Sequence, residues 1–299
     1  MIATPISCPD RNRMTARMIA RMSVRPSTGR REMLNCILNG ETIYAWRVDN
    51  READYRCPVC QKPVRLKKGY KRIPHFAHVS NQECSYGEGI SEDHLIVQKE
   101  ITDILLNNDI PCKIEYRGFK NRRADVFAEY QERKIVFEIQ HSRIEPHEIL
   151  GRTQDYNRND CSVIWVMTPD YFAKFAGLYE TSKVRFSSWQ AYLLVLYGVV
   201  YVWNNNKLYA FDFEPAWGTQ RFYEYGEYVG DEDVQLKESF DKRGIAEIDL
   251  MFGLKESTLR EFKSEIKPHV NLFGLAPEDN FPANWKFPNK SIGWNDPLR

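Results

Sequence analysis

The central part of the chain alternates between the hydrophobic spacing of a helix and that of strands. Ser91 is a good helix N-cap, and apolar residues recur at helical spacing from Leu95 to Leu105, which predicts a helix that ends near Asn107. Three strands, a second helix and a strongly apolar strand are predicted to follow, at residues 112–119, 123–130, 134–142, 146–157 and 161–168. The order α-β-β-β-α-β predicts a mixed α/β (α+β) fold for this part.

The flanking parts carry strand and turn signals. Residues 34–50 predict a β-hairpin that turns at Asn39-Gly40, a common hairpin dipeptide. The longest apolar run, Ala191–Trp203, is shorter than the roughly 20 residues of a membrane span, and it contains three tyrosines. We therefore predict a buried strand there and no membrane contact. A polar turn is predicted at residues 204–206, followed by an acidic stretch with helical character.

These patterns divide the chain into four parts. Residues 1–32, with seven arginines and two acids, predict a disordered basic tail. Residues 33–90 hold the hairpin and a cysteine-bearing segment, which we interpret as a zinc-binding module. Residues 91–170 form the α/β core, and residues 171–299 form a C-terminal extension with strand and helix signals, to which the sequence assigns no function.

Charge is balanced over the whole chain but uneven along it. The net charge is +1, so no overall field indicates a nucleic-acid partner. However, eight lysines and arginines against two acids lie between Arg51 and Pro74, and five against one lie between Lys113 and Arg123. These segments offer phosphates a local track. The chain has seven cysteines and no secretory signal peptide, so we expect a cytoplasmic protein whose clustered thiols bind metal.

Three cysteines and two histidines are close enough in sequence to bind one metal ion. Cys57 and Cys60 have the spacing of a zinc knuckle, and His75, His78 and Cys84 compete for the two remaining places. Side chains alternate along an extended segment, so His75 and His78 point to opposite faces and only one reaches the metal. We favour Cys57, Cys60, His78 and Cys84 as ligands of a structural Zn²⁺, with His75 as the alternate.

Two carboxylates lie inside the otherwise apolar strands of one predicted hairpin. With a two-residue turn at Gln131-Glu132, Asp125 faces Glu138, whereas a three-residue turn would shift this register by one. Like charges about 5 Å apart destabilise a sheet unless a cation bridges them. Gln140 lies on the same face as Glu138. Oxygen ligands at this density predict a site for Mg²⁺ or Mn²⁺.

Several motifs together resemble the CoiA-like family of competence proteins. They are CPVC (57–60), HFAH (75–78), SEDH (91–94), RADV (123–126) and FEIQHS (137–142). The resemblance covers residues 33–169, about half of the chain. It implies that the core has the PD-(D/E)xK nuclease-like fold, preceded by the zinc-binding module.

The resemblance also implies roles for particular residues. Asp125 and Glu138 would be the metal-binding acids of a catalytic site, and Gln140 stands where many such nucleases have lysine. A glutamine can orient a water molecule through hydrogen bonds but supplies no positive charge. Glu92 best matches the helix acid that completes such sites, with His94 as an alternative.

The second predicted helix carries Arg152 and Tyr156 on one face, a pair that resembles the Gln-x-x-x-Tyr feature of RecB-type nucleases. With Lys120, Arg122 and Arg123, this pair is expected to hold a nucleic-acid backbone. We expect a Mg²⁺-dependent nuclease that hydrolyses phosphodiester bonds of DNA, in DNA uptake, recombination or defence against foreign DNA. Two alternatives stay open: a DNA-binding adaptor that has lost cleavage, and a scaffold that binds a protein partner through the C-terminal extension.

Overall fold

The computed structural model describes residues 32–80, 84–86, 90–120, 122–130, 132–168, 183–197, 200–248 and 250. The predicted basic tail, apart from Glu32, lies outside the described residues, and so does the end of the predicted extension after Leu250. None of the helices in the described ranges is long and apolar enough to cross a membrane.

Two small hairpins form the N-terminal part. They are β1 (Asn35–Leu38) with β2 (Glu41–Tyr44), and β3 (Val64–Lys67) with β4 (His75–His78). The predicted turn at Asn39-Gly40 is present, with φ angles of 53° and 85°, as a two-residue hairpin turn of type I′ requires. A short 3-10 helix, Ala45–Arg47, follows β2. Met33, Tyr55 and Phe76 are buried between the hairpins and form a small core of their own.

The central part has the predicted order of elements. These are α1 (Glu92–Asn107), β5 (Cys112–Phe119), β6 (Arg122–Tyr130), β7 (Arg133–Gln140), α2 (Pro146–Arg158) and β8 (Cys161–Met167). Ser91 caps α1, because its Oγ accepts a hydrogen bond from the His94 backbone N–H at 3.2 Å. Strands β5, β6 and β7 are antiparallel, and β8 is parallel to β7. The assignment of this core to the PD-(D/E)xK fold stays a prediction.

The C-terminal part extends the same sheet. It contains β9 (Lys183–Arg185), α3 (Ser188–Tyr197), β10 (Val200–Asn204), β11 (Lys207–Glu224) and β12 (Glu227–Ile248). Strand β10 pairs in parallel with β8, which gives the strand order β5-β6-β7-β8-β10-β11-β12-β9. The predicted boundary near residue 170 therefore falls within one continuous sheet. The central strands β7 and β8 are almost wholly buried, which explains the apolar runs 135–137 and 163–167 within them.

Two predictions in the C-terminal part are wrong. The run Ala191–Trp203 is not one strand, because its first half belongs to α3 and its end to β10. An unbroken apolar run does not distinguish a buried helix from a buried strand. The acidic stretch after residue 223 is strand β12 and not a helix, because pairing with β11 along most of its length fixes an extended backbone. The predicted turn is present: Asn204 pairs with Lys207 across it.

Candidate metal centres

The four favoured ligands of the N-terminal module lie together. The ligand atoms of Cys57, Cys60, His78 and Cys84 are all within 4.8 Å of one another. Cys57 Sγ is 3.7 Å from Cys84 Sγ, and Cys60 Sγ is 3.2 Å from His78 Nε2. A tetrahedral zinc with Zn–S bonds of about 2.3 Å has ligand–ligand edges of about 3.8 Å. The spacing of the cluster therefore fits a four-coordinate structural metal ion.

The alternate ligand, His75, lies outside this cluster. Its Nδ1 is 2.9 Å from the Ile73 carbonyl oxygen, and the side chain is buried on the other side of β4 from His78.

Burial raises the pKa of the Cys57 thiol to about 12. This sulfur is therefore protonated at neutral pH unless a bound cation stabilises the thiolate.

The hairpin of β6 and β7 has the predicted two-residue turn. Tyr130 pairs with Arg133, and the register continues without a shift to Val126 opposite Phe137. Asp125 therefore faces Glu138 as predicted. The Asp125 carboxylate also accepts a hydrogen bond from a backbone N–H of β7, that of Ile139, at 2.7 Å.

Glu138 is held from α2 by two side chains. Tyr156 donates a hydrogen bond of 2.6 Å to Glu138 Oε1, and Arg152 Nη1 lies 3.2 Å from Oε2. Arg152 also forms an ion pair with Glu148, one turn earlier in the helix. The pair predicted to hold nucleic acid thus contacts the Glu138 carboxylate: Tyr156 and Arg152 orient it, and Arg152 offsets its charge.

Helix α1 brings His94, and not Glu92, to this site. His94 Nε2 is 3.4 Å from Asp125 Oδ1, and the histidine is buried. Glu92 is exposed, because two residues along a helix rotate the side chain by about 200°. The third acid predicted from the resemblance is therefore absent from the cluster, and the histidine that was the alternative takes that place.

A further buried acid, Glu115, was not predicted. One ligand atom from each of His94, Glu115 and Asp125 lies within 4.8 Å of the others. Glu115 accepts a hydrogen bond of 2.9 Å from Gln98 and forms an ion pair of 2.9 Å with Arg123. The signal in the sequence was slight: a single acid inside the basic segment from Lys113 to Arg123.

The other predicted residues surround this centre. Gln140 is buried, and its Nε2 donates a hydrogen bond of 2.6 Å to the Ser142 carbonyl oxygen. Arg122 forms an ion pair of 2.6 Å with Asp155 on α2. Lys120 is exposed. Of the predicted basic residues, Arg123 reaches the carboxylate cluster through its ion pair with Glu115, whereas the charge of Arg122 is paired with Asp155.

Comparison with known proteins adds a family to this geometry. A family model for the N-terminal domain of competence protein CoiA matches residues 39–87, and a model for the nuclease-like domain of the same protein matches residues 91–237. The chain belongs to the CoiA-like family of competence proteins. The resemblance seen in the sequence motifs is thereby confirmed.

Among curated relatives, the competence protein CoiA of Bacillus subtilis (strain 168) is 30% identical to the chain over 113 residues. The match covers 37% of this chain and 30% of that relative, so it spans less than a third of the relative's length. No solved structure gives a significant match. The nuclease-like family domain extends to residue 237 and thus includes strands on both sides of the boundary predicted near residue 170.

The acids of this CoiA-like chain perturb one another's ionisation. Burial and the neighbouring Asp125 raise the pKa of Glu138 to about 8 and also raise the pKa of Glu115. Burial alone would raise the pKa of Asp125, but His94 keeps that pKa below its usual value. Burial likewise opposes the charge on His94, yet the surrounding carboxylates raise the histidine pKa. The raised pKa values of Glu138 and Glu115 mean that placing the negative charges together is costly, and a bound cation would relieve that cost.

Proposed function

We propose that this protein is a metal-dependent nuclease that hydrolyses phosphodiester bonds of DNA in the cytoplasm, in DNA uptake, recombination or defence against foreign DNA. The observation that carries the proposal is the buried cluster in which Asp125 faces Glu138 beside His94. The nuclease-like family domain over residues 91–237 supports it.

The residues present fit a divalent cation. Asp125 and Glu138 are buried acids on the neighbouring strands β6 and β7. The enclosed His94 Nε2 makes no well-formed hydrogen bond and lies 3.4 Å from Asp125 Oδ1. Bound there, Mg²⁺ or Mn²⁺ would polarise the phosphate and lower the pKa of a coordinated water. Asp125 and Glu138, with His94, would hold the ion. Tyr156 and Arg152 fix the rotamer of Glu138 through their contacts with its two oxygens.

In many such nucleases, a lysine orients the attacking water and supplies positive charge. Gln140 and Arg152 would share these two roles here. Gln140 lies two residues after Glu138 on the same strand, and its amide can orient the attacking water through hydrogen bonds. It brings no charge to the developing negative oxygens. Arg152 does bring a guanidinium, 3.2 Å from Glu138, to the same carboxylate.

Nucleic-acid binding would rest on exposed basic residues near the centre and on the N-terminal module. Lys120 is exposed, and Arg122 is half-buried beside it. On β3, Arg65 and Lys67 are both exposed, because alternate residues of a strand share a face. Contacts of this kind bind phosphates with little sequence preference and weaken steeply with salt. The cysteine–histidine cluster would bind a structural Zn²⁺ that stabilises this module.

The test is DNA cleavage by the purified protein in Mg²⁺, Mn²⁺ or EDTA, with linear and circular substrates, single- and double-stranded. Asp125→Asn and Glu138→Gln should abolish metal-dependent cleavage. Glu129→Gln is the matched control, because Glu129 is an exposed acid on the same strand as Asp125. This variant should cleave DNA like wild type. Full cleavage by Asp125→Asn would refute the assignment.

Gln140 favours one alternative, a DNA-binding adaptor without cleavage. It predicts salt-sensitive DNA binding that survives Asp125→Asn, and no turnover with any divalent metal.

The hairpin of β11 and β12 favours the other alternative, a protein-interaction scaffold. Its outer half exposes large aromatic side chains, namely Trp217, Tyr223, Tyr225 and Tyr228, which are typical of binding surfaces. This alternative predicts a stable stoichiometric protein complex, abolished by Trp217→Ser with Tyr225→Ser, and no affinity for DNA.

A further inference from the structure

Glu115 has a backbone conformation that strands avoid. Its φ is 54°, in the left-handed region that is unfavourable for a residue with a side chain. Ile114 packs with Leu95 of α1, and Glu115 accepts a hydrogen bond from Gln98 of the same helix. Consecutive residues of a regular strand point to opposite faces. The left-handed conformation is therefore what places both side chains on the helix side.

The same conformation aims the carboxylate at Asp125. The pairs on either side, Ile114 with Val126 and Tyr116 with Ala124, put Glu115 opposite Asp125 in the sheet. The side chain of Glu115 is 2% exposed. Strained residues that are held against a like charge in a buried cluster mark functional sites.

A purely structural role would explain only part of this arrangement. The ion pair with Arg123 and the hydrogen bond from Gln98 satisfy Glu115, yet neither requires its carboxylate to share a space of 4.8 Å with Asp125 and His94. His94 Nε2 is enclosed, makes no well-formed hydrogen bond and lies 3.4 Å from Asp125 Oδ1. One nitrogen and two carboxylate oxygens within 4.8 Å of one another are close enough to bind one ion together.

We propose that Glu115 is a further protein ligand of the metal centre, beside His94, Asp125 and Glu138, and that this set selects Mn²⁺ over Mg²⁺. The inference rests on the metal site of the proposed function and deepens it. Mg²⁺ demands near-ideal octahedral oxygen coordination and keeps several waters. Imidazole nitrogen suits first-row transition ions, and Mn²⁺ accepts both nitrogen and carboxylate oxygen.

The test is direct metal binding by the full chain, loaded with Zn²⁺ at the cysteine–histidine cluster. Titration calorimetry and Mn²⁺ electron paramagnetic resonance would be recorded for wild type, Glu115→Gln, Arg123→Gln and Glu129→Gln. Wild type should bind one Mn²⁺ at least about tenfold more tightly than Mg²⁺. Removing even an outer partner of a metal ligand costs about 10- to 100-fold in affinity, so Glu115→Gln should lose at least as much for Mn²⁺. Arg123→Gln removes the ion pair but no ligand, so it should lose clearly less Mn²⁺ affinity than Glu115→Gln. Glu129→Gln should bind Mn²⁺ like wild type.

Three results would overturn the inference. The first is unchanged Mn²⁺ affinity in Glu115→Gln while Asp125→Asn loses it. The second is an equal loss in Arg123→Gln, which would make the role of Glu115 structural; thermal melting checks that each variant is folded. The third is equal affinity of wild type for Mn²⁺ and Mg²⁺.

Cleavage measured in parallel separates the two proposals. If Mn²⁺ binding depends on Glu115 but the protein does not cleave DNA, the metal site is supported and the nuclease function is refuted. If Glu115→Gln cleaves DNA like wild type, the nuclease function is supported and the role of Glu115 as a ligand is refuted.

Discussion

The protonation of Glu138 makes the stability of the metal-free protein depend on pH. Burial and Asp125 raise the pKa of this carboxyl to about 8, whereas an unfolded glutamate titrates near about 4.3. Between these values the folded state binds a proton that the unfolded state does not. The free energy of unfolding therefore falls as pH rises through this window, and Glu138→Gln, which cannot ionise, escapes that loss.

The size of the effect follows from the width of the window. Each pKa unit corresponds to about 1.4 kcal/mol, and roughly 3.5 units give an upper limit of about 5 kcal/mol. Glu138 and Asp125 titrate as a coupled pair. The pH-dependent change in unfolding free energy therefore belongs to both carboxyls and not to Glu138 alone. The range from pH 5 to pH 8 covers three of these units, so the unfolding free energy of Glu138→Gln should rise relative to wild type by up to about 4 kcal/mol across it.

Urea unfolding followed by tryptophan fluorescence at pH 5, 6, 7 and 8, in buffer freed of divalent ions, measures this difference. Glu129→Gln is the control and should run parallel to wild type, because Glu129 is exposed. Added Mn²⁺ at pH 8 should stabilise wild type much more than Glu138→Gln. Parallel curves for wild type and Glu138→Gln across the whole range would refute the reasoning that burial keeps Glu138 protonated.

Further predictions concern the two metal centres and the core. Cys84→Ala should lose the bound zinc and make the N-terminal module sensitive to protease, whereas Cys161→Ala, in a strand far along the chain, should keep the zinc content of wild type. Because His94, and not Glu92, reaches Asp125 from α1, His94→Ala should lower Mn²⁺ affinity about tenfold or more, while Glu92→Ala should leave it unchanged in calorimetry. Ile164 is fully buried in β8, so Ile164→Ala should lower the free energy of unfolding by about 2–5 kcal/mol, and a loss under 1 kcal/mol would contradict its place in the core.

Much of the central part was predictable because short-range rules decide it. Ser91 caps α1 through its own hydroxyl, so the start of the helix was visible in the sequence. The register of β6 and β7 follows from a two-residue turn and strand alternation. Continuing this register by one residue puts Asp125 opposite Glu138, so their proximity could be predicted as well. The spacing of Cys57 and Cys60 indicates a metal cluster for a similar local reason.

The remaining features depend on contacts between distant residues. The conformation of Glu115 breaks strand alternation, and only its neighbours on α1 and β6 hold it there. Strand β12 is extended because β11 pairs with it, although its acidic sequence favoured a helix. The choice of His94 over Glu92 depends on how α1 is rotated against the sheet, which no short motif specifies.

The N-terminal module packs on the elements that carry the proposed ligands His94 and Glu115. Tyr44 of β2 donates a hydrogen bond of 2.8 Å to the Cys112 carbonyl at the start of β5, and Leu34 and Tyr44 form one buried cluster with Leu95 and Ile114. Leu95 follows His94, and Ile114 precedes Glu115. Loss of the metal from the module would therefore loosen the packing beside both ligands. A chelator would act on the two centres at once, so inhibition by EDTA alone would not identify the catalytic ion. Recovery with Mn²⁺ in the presence of Zn²⁺, but not with Zn²⁺ alone, would separate the catalytic centre from the structural one.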